Sequence, residues 1–217
     1  MSEPALILPA ARREATKPAP SASRWGQIAV AAALFAALAI VVVWLWSLGQ
    51  PGDNSVEAGF ARDMIVHHEQ AVTMALLARD GTEDPAIRSL ATDILLTQQN
   101  QIGQMLGWLN VWGLPATGRE PPMAWMGHQT TGLMPGMASP EEMANLARLS
   151  GPALDTEFLR LMIRHHQGGI PMADVALARG GNGAVRDLAR AIVVSQEAEI
   201  AIMENLLRER DAPDVAS

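Results

Sequence analysis

Two histidine doublets with matching methionine companions are the residues here with chemistry to offer. Met64-x-x-His67-His68 followed by Met74 recurs 98 residues later as Met162-x-x-His165-His166 followed by Met172. Imidazole nitrogen and thioether sulfur are both metal donors. Together they favour copper, Cu(I) above all, over iron, magnesium or calcium, because the sulfur is soft. Met64-x-x-His67 has the spacing of the Glu-x-x-His motif of di-iron bundles, with Met in place of Glu in both copies. Gln98 and Gln196 are placed to hydrogen-bond an imidazole from a facing helix. Adjacent histidines cannot point the same way, so one of each doublet is expected to be structural or surface-facing. The competing reading is that the methionines fill a core and each histidine is simply hydrogen-bonded.

A second candidate lies between the doublets. Met123, Met126, His128, Met134, Met137 and Met143 crowd into 21 residues of mostly irregular chain. Spaced methionines in such a loop suit capture of Cu(I) or Ag(I) by wrapping. The alternative is that they pack with Trp125 over the end of the fold.

Both candidates depend on helices to position them. On a helical wheel Phe60, Met64, His67, His68, Ala71, Met74 and Ala75 share an arc of about 120°, the width of a buried stripe. The 98-residue offset also matches Phe60 to Phe158, Gln98 to Gln196, Met105 to Met203 and Leu109 to Leu207, without a gap. One supersecondary unit is written twice. Each unit reads as two helices. The first spans about 56–79 and stops at Asp80-Gly81, a glycine stop. The second opens at Asp84-Pro85 and ends before Gly113. In the copy, one helix starts near Asp155 and ends at Gly180-Gly181, and the last runs from Asn182 to about Arg210. Repeat one is 55–112 and repeat two 155–210. The Met-rich connector, 113–152, carries a short helix at 140–149 announced by Ser139-Pro140-Glu141-Glu142. The fold class is all-α, a four-helix bundle over 53–211. Pro171, inside the third helix, removes a hydrogen bond to the Gln167 carbonyl and is expected to kink it. Thr73 stands at the matching place, so the two sites are expected to differ in shape.

Composition sets the compartment. The 217 residues are 49% hydrophobic and 18% charged, with net charge −7. That suits a large core and argues against nucleic acid as a partner. The absence of cysteine excludes disulfides, thiolate zinc sites, iron–sulfur clusters and cysteine nucleophiles. Residues 1–24, rich in Pro, Ala and Ser, read as a disordered tail. Residues 25–48 read as a transmembrane anchor: the apolar run Gly26–Trp46 would span about 31 Å as a helix. Basic residues precede it, and Asp53 and Glu57 follow. The positive-inside rule therefore puts the N-terminus in the cytoplasm and the bundle outside, single-pass in the cell membrane. A cleaved signal peptide is the rival, but its apolar core would be shorter. Residues 53–217 hold 12 Arg, no Lys and 21 acidic residues, an acidic domain.

These residues resemble the Domain of Unknown Function 305 family. The resemblance rests on Phe60, Met64, Ile65, His67, His68, Met74 and Ala75, and on the Met-Pro-Gly-Met-Ala-Ser-Pro-Glu-Glu-Met run at 134–143. It extends to the Gln-x-x-Glu-Ile-x-x-Met-x-x-Trp-Leu pattern of the following helix. It implies a ferritin-like bundle, exported or membrane-anchored, with copper binding or resistance in some members. The metal-binding positions carried over are Met64, His67, His68 and Met74 with Met162, His165, His166 and Met172; Gln98, Met105, Gln196 and Met203 match the second-helix pattern. Gln101 departs from the family's Glu, which Glu199 keeps, and Leu206 departs from the Trp that Trp108 matches.

The function these observations favour is a membrane-anchored, extracytoplasmic copper-binding protein that buffers Cu(I) or hands it over. A second copy of the chain or another exported metal-handling protein is the candidate partner. A structural or partner-binding ectodomain without metal is the alternative. A metal-dependent oxidoreductase is a third reading and would need open coordination sites and a substrate pocket. No nucleophile–base–acid order is visible, and no catalytic residue is assigned.

Overall fold

The computed structural model describes residues 24–211, so the tail expected over residues 1–24 lies outside them except for Arg24, which is helical. Among the described residues the regular structure is helical throughout. The chain divides into two units between Gly49 and Gln50. The first holds α1 (Arg24–Leu48). Its stretch Arg24–Leu45 is 22 residues long, enough and apolar enough to cross a membrane. Anchors and signal sequences share that property.

The second unit is a four-helix bundle of the ferritin-like kind. α2 (Val56–Gly81) starts at Ser55, whose hydroxyl accepts the Ala58 N–H at 3.1 Å. α3 (Pro85–Val111) starts at Asp84, whose carboxylate accepts the Ala86 N–H at 2.8 Å, with Pro85 in the first turn. A 3₁₀ turn (Ala124–Met126) and α4 (Pro140–Leu146) follow, and then α5 (Gly151–Arg179) and α6 (Gly183–Asp211). α4 opens on the Ser139–Glu142 capping box and stops at Leu146, short of the expected 149. α5 starts at Gly151 rather than near Asp155, because Ser150 is extended and Pro152 favours a first turn. It continues through Pro171, which costs a hydrogen bond without ending the helix.

Gly81 was expected to stop α2 in a left-handed conformation. It is instead the last helical residue, and its φ is not positive. Its use is steric: a Cβ there would lie 2.5 Å from Leu154 Cδ2.

α2 and α5 form the central pair, with α3 packed on α2 and α6 on α5. Met64, early in α2, shares an apolar cluster with Met172 and Ala176, late in α5. Met74, late in α2, shares one with Phe158 and Met162, early in α5. The two central helices are therefore antiparallel. Phe60 and Phe158 are fully buried at the two ends, each worth roughly 1.5–3 kcal/mol of burial. The repeats also clasp one another. Glu57 on α2 accepts the N–H groups of Gly181 and Asn182 at 2.6 and 3.1 Å, closing the α5–α6 turn. Arg210 on α6 pairs with Asp84 at the head of α3.

Residues 134–138 lie across the central pair as a strap. Gln70 Nε2 donates to the Ala138 carbonyl at 2.8 Å, and Gln70 Oε1 accepts the Ala138 N–H at 2.6 Å. Arg164 donates twice to Glu142, at 2.7 and 2.6 Å. Gly136, at φ +79°, sits against Gly168, where a Cβ would lie 2.1 Å from the Pro135 carbonyl oxygen. Backbone cannot yield as a flexible side chain does, so Gly168→Ala should cost about 1–3 kcal/mol. Gly103, in the interior of α3, has nothing within 4 Å of its would-be Cβ, and Gly103→Ala should gain roughly 0.5–1 kcal/mol. Urea unfolding of the full chain in detergent micelles, followed by circular dichroism, measures both.

Candidate metal centre

All four paired histidines are fully buried. Of the two expectations for one member of each doublet, structural or surface-facing, burial removes the surface-facing one. α2 and α5 are covered on several sides, so side chains about 100° apart on one helix both point inward. His67 and His165 meet where the helices cross, with ring centroids 3.8 Å apart and planes tilted by 37°. His67 Nε2 donates to the Pro135 carbonyl on the strap at 3.0 Å. His165 Nε2 donates to the His67 carbonyl at 3.0 Å. Toward the neighbouring helix, His68 Nε2 donates to Gln101 Oε1 on α3 at 2.7 Å. His166 Nε2 donates to Glu199 Oε2 on α6 at 2.6 Å.

These partners decide the tautomers. A carbonyl or carboxylate oxygen only accepts, so each Nε2 carries a hydrogen, and a ring that is neutral keeps its lone pair at Nδ1. All four Nδ1 atoms are buried without a hydrogen-bond partner. Burial also keeps protons away: it lowers His67 to about 4, His68 to about 3 and His165 well below its usual 6.5. An unpaired buried acceptor costs about 1–3 kcal/mol. A soft cation bound to the lone pairs would relieve that cost, so the donor set fits a metal.

Sulfur stands on both sides. Met64 and Met172 share one cluster with Met105 and Met134, while Met74 and Met162 share the other with Met203. Each set draws on both repeats. Among the described residues no three His, Cys, Asp or Glu side chains are grouped to hold a metal ion. Coordination here would have to be completed by thioether. Gln98 and Gln196 do not hold an imidazole. Gln98 Oε1 and both amide atoms of Gln196 are buried and unpartnered, and the supporting role falls to Gln101 and Glu199, one turn further on. Their signal was already present as a matched pair at the repeat offset.

Over residues 57–207 the sequence matches the family described as Domain of unknown function (DUF305). The chain belongs to the DUF305 family. Its fold is similar to that of a DUF305 protein from Streptomyces coelicolor, at TM-score 0.71 and 47% identity, covering 76% of this chain and 100% of that one. It is also similar to CopM in the Cu(II)-bound form, at TM-score 0.58 and 30% identity, covering 71% of this chain and 97% of that one. CopM has been solved in Cu(I)-bound and Ag-bound forms as well. Among curated proteins, Uncharacterized protein L153 of Acanthamoeba polyphaga mimivirus is 46% identical over 46 residues, 21% of this chain and 30% of that relative's length.

The connector of this DUF305 chain is packed rather than loose. The Met123 N–H and the Trp125 indole N–H both donate to Asp63 Oδ2, at 2.7 and 2.8 Å. Trp125 meets Phe60 edge-on with centroids 5.9 Å apart. Met123 and Met134 are buried in the Met64–Met172 cluster, and Met126 and Met137 pack against it half-buried. Met143 packs against the other cluster. His128 is exposed and apart. A cavity of about 540 Å³ opens beside Asp63, Arg62, Pro121 and Trp125, and none of the paired histidines lines it. The imidazoles themselves are buried in the core, away from this cavity.

The buried rings give a pH signature. Below pH 6.5 unfolded imidazoles take up protons that His67 and His68 refuse until about 4 and 3. Stability of the metal-free DUF305 chain is therefore full above pH 6.5 and falls as pH drops toward 4. Each such histidine contributes up to about 1.4 kcal/mol per pH unit. Urea unfolding across this range, with His68→Gln as comparison, should show a shallower slope in the variant.

Proposed function

We propose that this chain is a membrane-anchored, extracytoplasmic protein that binds copper as Cu(I) and buffers it or hands it on. The ligands are Met64, His67, His68, Met74, Met162, His165, His166 and Met172. The observation that carries this reading is the set of four buried Nδ1 atoms without partners, on helices that also bury Met64, Met74, Met162 and Met172. Thioether and imidazole together suit a soft monovalent ion, and CopM, a similar structure, has been solved with copper bound.

Met134 and Met137 flank Pro135, which holds His67, so the strap is the way in, with Met123 and Met126 as further stations. α1 remains uncleaved as a single span, its basic tail in the cytoplasm and the acidic bundle outside. A second exported metal-handling protein receives the ion.

The test is titration of the full chain in detergent micelles with Cu(I) competed against a chromophoric chelator, beside Zn(II) and Fe(II). His67→Ala/His165→Ala should weaken Cu(I) binding by about 100-fold or more, close to 2.7 kcal/mol. Met64→Leu/Met172→Leu should weaken it about tenfold. Replacing Met123, Met126, Met134 and Met137 by Leu should slow loading more than it lowers final affinity. No Cu(I) uptake by the wild-type chain would leave a bundle whose histidines are structural.

A further inference from the structure

The two halves of the cluster differ in charge at one matched position. His68 donates to Gln101, 33 residues on, and His166 donates to Glu199, also 33 residues on. The bonds are nearly equal, 2.7 and 2.6 Å. One acceptor is an amide and the other a carboxylate. Imidazole and thioether ligands bind as neutral groups, and Gln98, Gln101 and Gln196 are neutral amides. Among the described residues Glu199 is the only carboxylate hydrogen-bonded to a paired histidine. Its side chain is 16% exposed, and the imidazole it holds is fully buried.

Charge balance then decides what the core accepts. Moving an ion out of water into such a core costs several kcal/mol unless a countercharge stands beside it. One carboxylate neutralises one positive charge. By drawing on the Nε2 hydrogen it also strengthens Nδ1 of the same ring as a donor. Gln101 does neither to the same degree for His68.

We propose that Glu199 sets both the valence and the number of ions bound: one monovalent soft cation per chain, seated on the His165–His166 half, with Gln101 withholding the charge that a second ion or a divalent one would need. This rests on the metal reading above and goes beyond it by assigning the residue that selects the ion.

The experiment uses the full chain in detergent micelles, titrated separately with Ag(I) and with Cu(II). Ions per chain are counted by native mass spectrometry, affinity is read by competition, and folding is checked by circular dichroism. The wild-type chain should bind one Ag(I), and Cu(II) at least about tenfold more weakly. Glu199→Gln should weaken Ag(I) by about 10- to 100-fold. Gln101→Glu should admit a second Ag(I) and tighten Cu(II) by about tenfold or more. The double variant Gln101→Glu/Glu199→Gln moves the carboxylate to the other half and should recover a single Ag(I), which a merely structural role for Glu199 would not give. Unchanged Ag(I) affinity in Glu199→Gln, an unchanged count and Cu(II) affinity in Gln101→Glu, or no recovery in a folded double variant would each overturn the proposal. A wild-type chain that binds no Ag(I) would instead overturn the metal reading beneath it.

Discussion

The bundle is organised around two imidazoles pressed together where α2 crosses α5. His67 and His165 pack at 3.8 Å, which two neutral rings tolerate and two imidazolium ions would not. Burial enforces neutrality, and donation from Nε2 to main-chain carbonyls fixes both rings in place. The small residues around the crossing follow from this. A Cβ on Gly169 would stand 3.1 Å from His67 Cε1 and 3.0 Å from Gln196 Oε1, so a larger side chain would push the rings or the amide aside. The strap follows as well. Without the Pro135 carbonyl, His67 would lose its acceptor and a second buried polar atom would be left unpaired.

Much of this was legible because it is local. Ser55, Asp84-Pro85 and Ser139-Pro140 announce helix starts through bonds made within three residues. The apolar repeat of three and four marks which face of each helix turns inward. The doublets and their offset showed that one arrangement is used twice. The illegible parts depend on groups far apart in sequence. Gln70 and Ala138 are 68 residues apart, and nothing local in either shows that an amide side chain will stand in for a neighbouring strand. The rotational phase of one helix against another is likewise absent from its own periodicity. Positions three apart lie about 60° from one another on a helix, so Gln98 and Gln101 were equally placed to meet an imidazole, and only the packing chose Gln101. Gly81 carried a glycine stop signal, but its real constraint came from Leu154 on another helix.

The connector shows how the same residues read differently once packed. Asp63 gathers two N–H donors from Met123 and Trp125, which turns a run of spaced methionines into part of the wall beside Met64 and Met172. His128 lies beyond those tethers and stays in water. Composition alone could not separate the four methionines drawn into the wall from the histidine left outside it.

The reciprocal clasps between the hairpins have a consequence for how such a chain can change. Met64 on α2 shares a cluster with Met172 on α5, and Met74 with Met162, so matched positions of the two repeats meet across the crossing. The tandem chain carries two such hairpins on one polypeptide. In a true dimer every substitution appears twice, and an acid introduced beside one ring stands beside both. Two repeats on one chain are free of that identity, and the difference between Gln101 and Glu199 is one that two identical subunits could not carry.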